Sequence, residues 1–215
     1  MLPTSMMTID RLEPLPLQEH TFRIRFSDGT TLKTQDYVIA DHGLYPGKEL
    51  NAEEMETLRK AAALASAKNR AVRIVSAAGV SKSDLERRLI HKGESPEDAR
   101  EAVQWLSELE LLDDGHTAEQ LVRSAVRKGY GAARIKQILY QKGIPEAYWE
   151  QALSALPDMQ DAIDSFLSKR LQGREPDEKE CKRIIDALLR RGHSWTEIRA
   201  GLKRYSENLD LEETL

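Results

Sequence analysis

Several absences narrow the possibilities before any motif is considered. Cys181 is the only cysteine in 215 residues, so no internal disulfide can form and a reducing compartment is the natural setting. Aromatic residues make up only 6%, too few for a typical all-β sandwich. No run approaches the roughly 18 consecutive apolar residues a membrane-spanning helix needs, so no membrane association is expected. The N-terminus shows no early positive cluster followed by an apolar run, so it does not read as a secretory signal. A soluble cytoplasmic protein is expected. Cations are not in excess either: 32 Lys and Arg against 36 Asp and Glu give a formal net charge of −4. That argues against nucleic-acid binding over the whole surface, though local patches can still be basic.

Catalytic and metal-binding patterns are equally thin. His20, His42, His91, His116 and His193 are scattered, with no His-x-x-x-His and no paired carboxylates. Asp113-Asp114 with His116 has metal-ligand residue types, but a short acidic turn more often caps a helix. Lys128-Gly-Tyr-Gly131 lacks the preceding strand and the Gly-Lys-Ser/Thr ending of a nucleotide-binding loop, so it is expected as a helix-to-helix turn. A lone cysteine on a helix is more often packing than a nucleophile. No cofactor and no enzymatic activity are expected.

What the chain does contain is a repeated phrase. Lys92-Gly93, Lys142-Gly143 and Arg191-Gly192 lie about fifty residues apart, a period typical of repeated helical modules. Counting back from each glycine finds the apolar pairs Leu85/Leu89, Ile135/Leu139 and Ile184/Leu188. Counting forward finds Ala99/Val103, Trp149/Leu153 and Ile198/Leu202. The charged fraction of 32% suits solvent-exposed helices.

Along the chain, residues 1–19 hold Pro3, Pro14 and Pro16 with little periodicity and are expected as a flexible lead-in. Phe22, Ile24 and Phe26 alternate with Arg23 and Arg25 before Asp28-Gly29. This is the pattern of a half-buried strand and a hairpin turn, with Thr30 to Tyr37 as the return strand; the β-hairpin segment spans 20–47. Residues 51–111 then form a first helical repeat: Asn51 caps a long helix over 52–78, Ser81 caps Lys82 to Lys92, and Ser95-Pro96 starts a third helix. The second repeat, 112–157, holds helices over Thr117–Lys128, Ala132–Lys142 and Pro145–Leu156. The third, 158–205, holds Asp161–Leu171, Asp177–Arg191 and Ser194–Tyr205. Residues 206–215 form an acidic, mobile tail. The expected fold is mainly α: three tandem three-helix modules in an elongated array with an N-terminal β-hairpin, since two amphipathic helices need a third to close a core. Trp105, Trp149 and Trp195 fall in the last helix of each module, where packing is the default and Trp195 alone is placed for partial exposure.

Charge is unevenly spread over the modules. Residues 120–145 carry Arg123, Arg127, Lys128, Arg134, Lys136 and Lys142 with no Asp or Glu, a basic face suited to an acidic partner surface or to DNA phosphates. The bland alternative is a solvated face on which Glu119 and Arg123 form an ordinary i,i+4 pair. Lys182, Arg183, Arg190 and Arg191 form a second patch, where Asp186 can pair with Arg190 and cations complement a helix C-terminus.

The ordered set Leu112-Asp-Asp114, Ala118-Glu119, Val122-Arg-Ser124, Lys128-Gly-Tyr-Gly131, Arg134-Ile135 and Gln141-Lys-Gly-Ile144 resembles the RecX family. The Leu85–Gly93 and Arg183–Gly192 segments resemble its first and third repeats, and the resemblance covers roughly 52–205. Gly115-His116-Thr117 stands where the family prefers Glu-Arg-Phe, and Ala77 to Ser81 stands where a basic Arg-x-Arg-Ser is usual. The resemblance implies a cytoplasmic, monomeric, non-enzymatic regulator. Its partner would be a RecA-type recombinase filament, whose ATPase and strand exchange it would modulate, most simply by inhibition, in recombination, DNA repair and the SOS response. The basic patches would supply the electrostatic match, with DNA as a further partner. From a different class comes a DNA-binding helical module of helix-turn-helix type, with Ala132–Lys142 supporting and Pro145–Leu156 reading. That reader carries Glu146 and Glu150 and no Arg or Lys.

Overall fold

The computed structural model describes residues 6–212 except 17, 78, 155 and 157. The first five residues of the expected lead-in, Ala78 at the end of the expected long helix, Pro157 of the second connector and the last three residues of the tail lie outside the described residues. The chain divides into two compact units, one of residues up to 77 with Asp84–Leu112, the other of Gly79–Ser83 with residues from Asp113 onward. The fold is mostly helical with a small N-terminal antiparallel sheet.

The first unit is built around that sheet. Strands β1 (Met7–Pro14), β2 (Thr21–Phe26), β3 (Thr31–Gln35) and β4 (Glu49–Leu50) are ordered β3-β2-β1-β4, with antiparallel pairing throughout. Two sequence expectations are corrected here. Residues 7–14 of the expected lead-in are a strand, and the expected hairpin is half of a four-stranded sheet. The reason β1 escaped is a bulge between Ile9 and Arg11. It inserts one residue, so the apolar positions Met7 and Ile9 are followed by Leu12 and the period-two pattern breaks. Ile9, Ile24 and Phe26 nevertheless share one core with Leu50, Met55 and Leu58. The return strand ends at Gln35, and a short helix α1 (Asp36–Asp41) takes Tyr37.

Helix α2 (Ala52–Ala77) packs on β3 and on α4 (Pro96–Glu108). Its start is a reciprocal capping box: Asn51 Oδ1 accepts from the Glu54 N–H at 2.9 Å and Glu54 Oε2 accepts from the Asn51 N–H at 2.8 Å. These two bonds satisfy donors that the first helical turn leaves open. Helix α3 (Lys82–His91) follows, and α4 starts as expected, with Ser95 accepting from the Asp98 N–H and Pro96 at the first helical position.

The second unit continues with α5 (Asp114–Arg127), α6 (Ala132–Gln141), a 3₁₀ turn (Glu146–Tyr148), α7 (Trp149–Ser154), α8 (Gln160–Leu171), α9 (Glu178–Arg190) and α10 (Trp195–Glu212). Ile135, Leu139, Val122 and Ile144 form one core; Ile163, Leu167, Ile184, Leu188 and Ile198 form another. The expected helix over Pro145–Leu156 is instead a 3₁₀ turn followed by six α-helical residues. Pro145 is extended at ψ 140°, and Trp149 Nε1–H donates to the Ile144 carbonyl at 2.9 Å, pinning the indole to the turn before it. The expected mobile tail continues α10 as far as Glu212, since residues 206–212 contain no Gly or Pro to stop it.

Candidate interaction surface of the repeated turns

Each repeated turn has one geometry. Gly93, Gly143 and Gly192 sit at φ +94°, +66° and +88°, the left-handed region that glycine enters without penalty. The glycine N–H donates to the carbonyl of Ile90, Tyr140 or Leu189 at 2.9 Å in all three. The next residue, Glu94, Ile144 or His193, donates to Leu89, Leu139 or Leu188 at 3.0–3.2 Å. This paired pattern ends a helix by satisfying its last carbonyls.

Within the second unit the last two of these turns also serve as joints. The start of α6 has no side-chain cap. Two of the donors at this start are taken by the end of α9: Gly131 N–H donates to the Arg191 carbonyl at 2.9 Å and Ala133 N–H to the Gly192 carbonyl at 3.2 Å. One helix C-terminus thus satisfies another's N-terminus, a favourable meeting of opposite helix-end charges. Close approach requires glycine on both sides. A Cβ on Gly131 would lie 2.3 Å from the Gly192 oxygen, and one on Gly192 2.3 Å from the Arg134 nitrogen. Arg191 Nη1–H donates to the Lys128 carbonyl at 3.0 Å while its guanidinium covers the Phe166 ring at 5.2 Å. His193 Nε2 lies 3.1 Å from the Gly129 carbonyl.

The turn at Gly143 repeats the idea on residues 79–83. The Ser81 hydroxyl donates to the Lys142 carbonyl, and a Cβ on Gly143 would meet Ser83 Oγ at 2.8 Å. The Asp114 carboxylate accepts from the Lys82 N–H at 2.9 Å. Asp113 accepts from the N–H groups of Gly115 and His116 at 2.8 and 3.1 Å, so the acidic turn is a helix cap. Tyr148 fills the corner beside Gly115, whose added Cβ would meet the ring at 3.3 Å.

The ten basic residues singled out by sequence therefore have different surroundings. Arg123 and Arg127 are exposed one turn apart on α5 and line an open groove of about 440 Å³ with Thr117 and Gln120. Arg123 is 3.7 Å from Glu119, as the i,i+4 spacing implied. Arg134 is half-buried, donating to Gln137 Oε1 at 2.6 Å and lying 6.0 Å from the Tyr130 ring centre. Lys128 and Lys136 are exposed and Lys142 is half-buried. Lys182, Arg183 and Arg190 are exposed on α9, and among the described residues neither Arg190 nor Asp186 has an ion-pair partner. Arg191 is committed to an internal joint.

Side chains that the charge pattern could not flag are exposed at the same turns. Three residues before each repeated glycine is a large apolar side chain in water: Ile90 is 40% exposed, Tyr140 75% and Leu189 44%. Trp195 is exposed as well, at 55%. For Ile90, Tyr140 and Leu189 the signal was available, because each lies one position after a core leucine and so off the buried stripe. Among the described residues no group of three or more His, Cys, Asp or Glu side chains is gathered as a metal site, and no helix is long and apolar enough to cross a membrane.

Comparison with known proteins matches this same region. Residues 113–153, from the α5 cap to α7, fit the family model described as RecX, second three-helix domain. Regulatory protein RecX of Vibrio parahaemolyticus is 31% identical over 145 residues, covering 66% of this chain and 94% of that protein. The Chromohalobacter salexigens protein of the same name is 30% identical over 141 residues, 64% of this chain and 91% of its own. A crystal structure of regulatory protein RecX superposes with TM-score 0.66 at 21% identity, covering 90% of this chain and 99% of the other. RecX from Lactobacillus salivarius superposes at 0.57 and 22% identity, covering 69% and 97%. With its capped α5 and its glycine-closed α6 inside the matched segment, this chain belongs to the RecX family.

Proposed function

We propose that this protein is a non-enzymatic, cytoplasmic regulator that binds a RecA-type recombinase filament and lowers its ATPase and strand-exchange activity. The observation that carries the reading is the recurrence, near the repeated turns, of an exposed large apolar side chain close to an exposed cation: Tyr140 one turn after Lys136 on α6, Leu189 adjoining Arg190 on α9. Interface hot spots are enriched in Tyr, Trp and Arg, so Tyr140 is the strongest anchor, with Leu189 adding apolar contact. A polymer offers the same surface on successive subunits, so weak contacts from several turns add through effective concentration. The printed name of the relatives, regulatory protein, agrees with a partner-binding role rather than chemistry on a substrate. A helix-turn-helix reader is disfavoured, because α7 is six residues long and neither it nor the 3₁₀ turn before it holds Arg or Lys.

The test adds purified protein to a recombinase hydrolysing ATP on single-stranded DNA. Turnover should fall near stoichiometric protein. Tyr140→Ala combined with Lys136→Glu should raise the concentration for half-inhibition about ten-fold or more, an affinity loss of about 1.4 kcal/mol. Unchanged ATPase and unchanged filament assembly with the native protein would sink the proposal.

A further inference from the structure

The first unit contains a cationic trench that none of the basic clusters noted in the sequence includes. It runs between β3 and the α2–α3 side of the unit and encloses about 620 Å³. Lys33, Arg70, Arg73, Arg88 and Lys92 line it, and no carboxylate does. Two of these cations are held by neighbours, Arg70 by Glu94 at 2.8 Å and Arg88 by Asp84 at 2.9 Å. Among the described residues Lys33, Arg73 and Lys92 have no acidic partner. Three cations facing one trench without counter-charge repel one another, and they favour an anion that neutralises them together.

A second observation points the same way. Thr34 is 2% exposed on β3 and lines the trench, and its hydroxyl has no hydrogen-bond partner among the described residues. A buried hydroxyl left unpaired is unfavourable, so a ligand oxygen that reached it through a small opening of the wall would be favoured.

The trench meets a different surface at Gln35 and Asn69, which line both. Beyond them lies a trough of about 510 Å³ walled by Tyr37, Val72 and Trp105 and also lined by Asp36, which lies 2.7 Å from His20 Nδ1. Tyr37 is exposed, and the Trp105 ring has the Lys68 ammonium 5.4 Å from its centre. A cationic track, three of whose members lack an acidic partner, beside aromatic rings is the equipment of single-strand recognition: cations follow the backbone while bases stack on the rings. A duplex keeps its bases stacked on each other and has no use for the rings.

We propose that this trench and trough form a binding site for single-stranded nucleic acid, with phosphates on Lys33, Arg73 and Lys92 and an unstacked base on Tyr37. The site is independent of the recombinase-binding surface on the second unit. The test uses a fluorescent oligo(dT) and the full chain, followed by anisotropy across a salt series. Lys33→Glu with Arg73→Glu should weaken binding at least ten-fold, while the same charge changes at Lys169 and Lys179 should not. The neutral pair Lys33→Gln and Arg73→Gln should reduce the salt slope by about 1.4, from about 0.7 per phosphate contact on a single strand. Tyr37→Ala should weaken oligo(dT) binding about five-fold or more, yet leave any binding of inorganic triphosphate unchanged. Thr34→Val keeps the side-chain shape; it should fold as well as the native chain and bind more weakly. Full binding by the Lys33/Arg73 reversal, or tight triphosphate binding with no effect of Tyr37→Ala on oligo(dT), would overturn the proposal.

Discussion

Gly192 and Gly173 both have left-handed backbones, at φ +88° and +79°, but only one is hemmed in. A side chain at Gly173 would meet nothing within 4 Å, whereas one at Gly192 would run into Arg134. Gly173→Ala should therefore cost only the backbone term, about 1–2 kcal/mol. Gly192→Ala should add an overpacking penalty of about 1–3 kcal/mol and separate α9 from the start of α6. Urea denaturation of the two variants checks this; equal losses would mean the joint is not tight. Arg191 belongs to the same joint, so its replacement should lower stability as well as any partner affinity. Cys181 supplies a chemical test at this scale. Burial, with Asp177 and Glu180 nearby, pushes its thiol above the ordinary value. Because the thiolate is the reacting form, disulfide-reagent modification at neutral pH should be slower than for a free thiol. The rate should rise to its plateau at higher pH, and Glu180→Gln should move that rise downward.

Most helix starts were readable because capping is local. Asn51 and Ser95 cap as expected, and Ser194, the first residue of an expected helix, caps too: its Oγ accepts from the Glu197 N–H at 3.2 Å, and Glu197 accepts from the Ser194 N–H at 2.7 Å. Asn51→Ala or Ser194→Ala should each cost about 1 kcal/mol, measurable by thermal unfolding followed by circular dichroism. Elements whose form depends on distant partners were less readable. β1 hides behind its bulge, and its partners β2 and β4 are separated from it by turns and by α1. The helix expected after Pro145 is shortened where Trp149 ties back to Ile144. The start of α6 looks uncapped in sequence because its caps are carbonyls roughly sixty residues away.

At the scale of the molecule, charge is segregated rather than abundant. The chain is net negative at −4, yet Arg123 and Arg127 share one face of α5, and Lys33, Arg73 and Lys92 share a trench. Association through such patches is screened as their counter-charges are. Inhibition of a recombinase should therefore weaken as salt rises from about 50 to about 200 mM, although the protein's overall charge would repel an acidic partner. A salt-independent midpoint would assign the contact to Tyr140 and Leu189 rather than to the cations.

The sequence by itself determined most of the helices, their core stripes and the glycine turns, because periodicity, capping and positive φ are properties of a few neighbouring residues. It also carried the family likeness, which resides in the order of short motifs. Tertiary structure alone decided which basic residues face water and which, like Arg191, hold one helix to another. It also brought Lys33, Thr34 and Arg73 into one trench, because residues far apart in sequence become neighbours only when a sheet and a long helix pack.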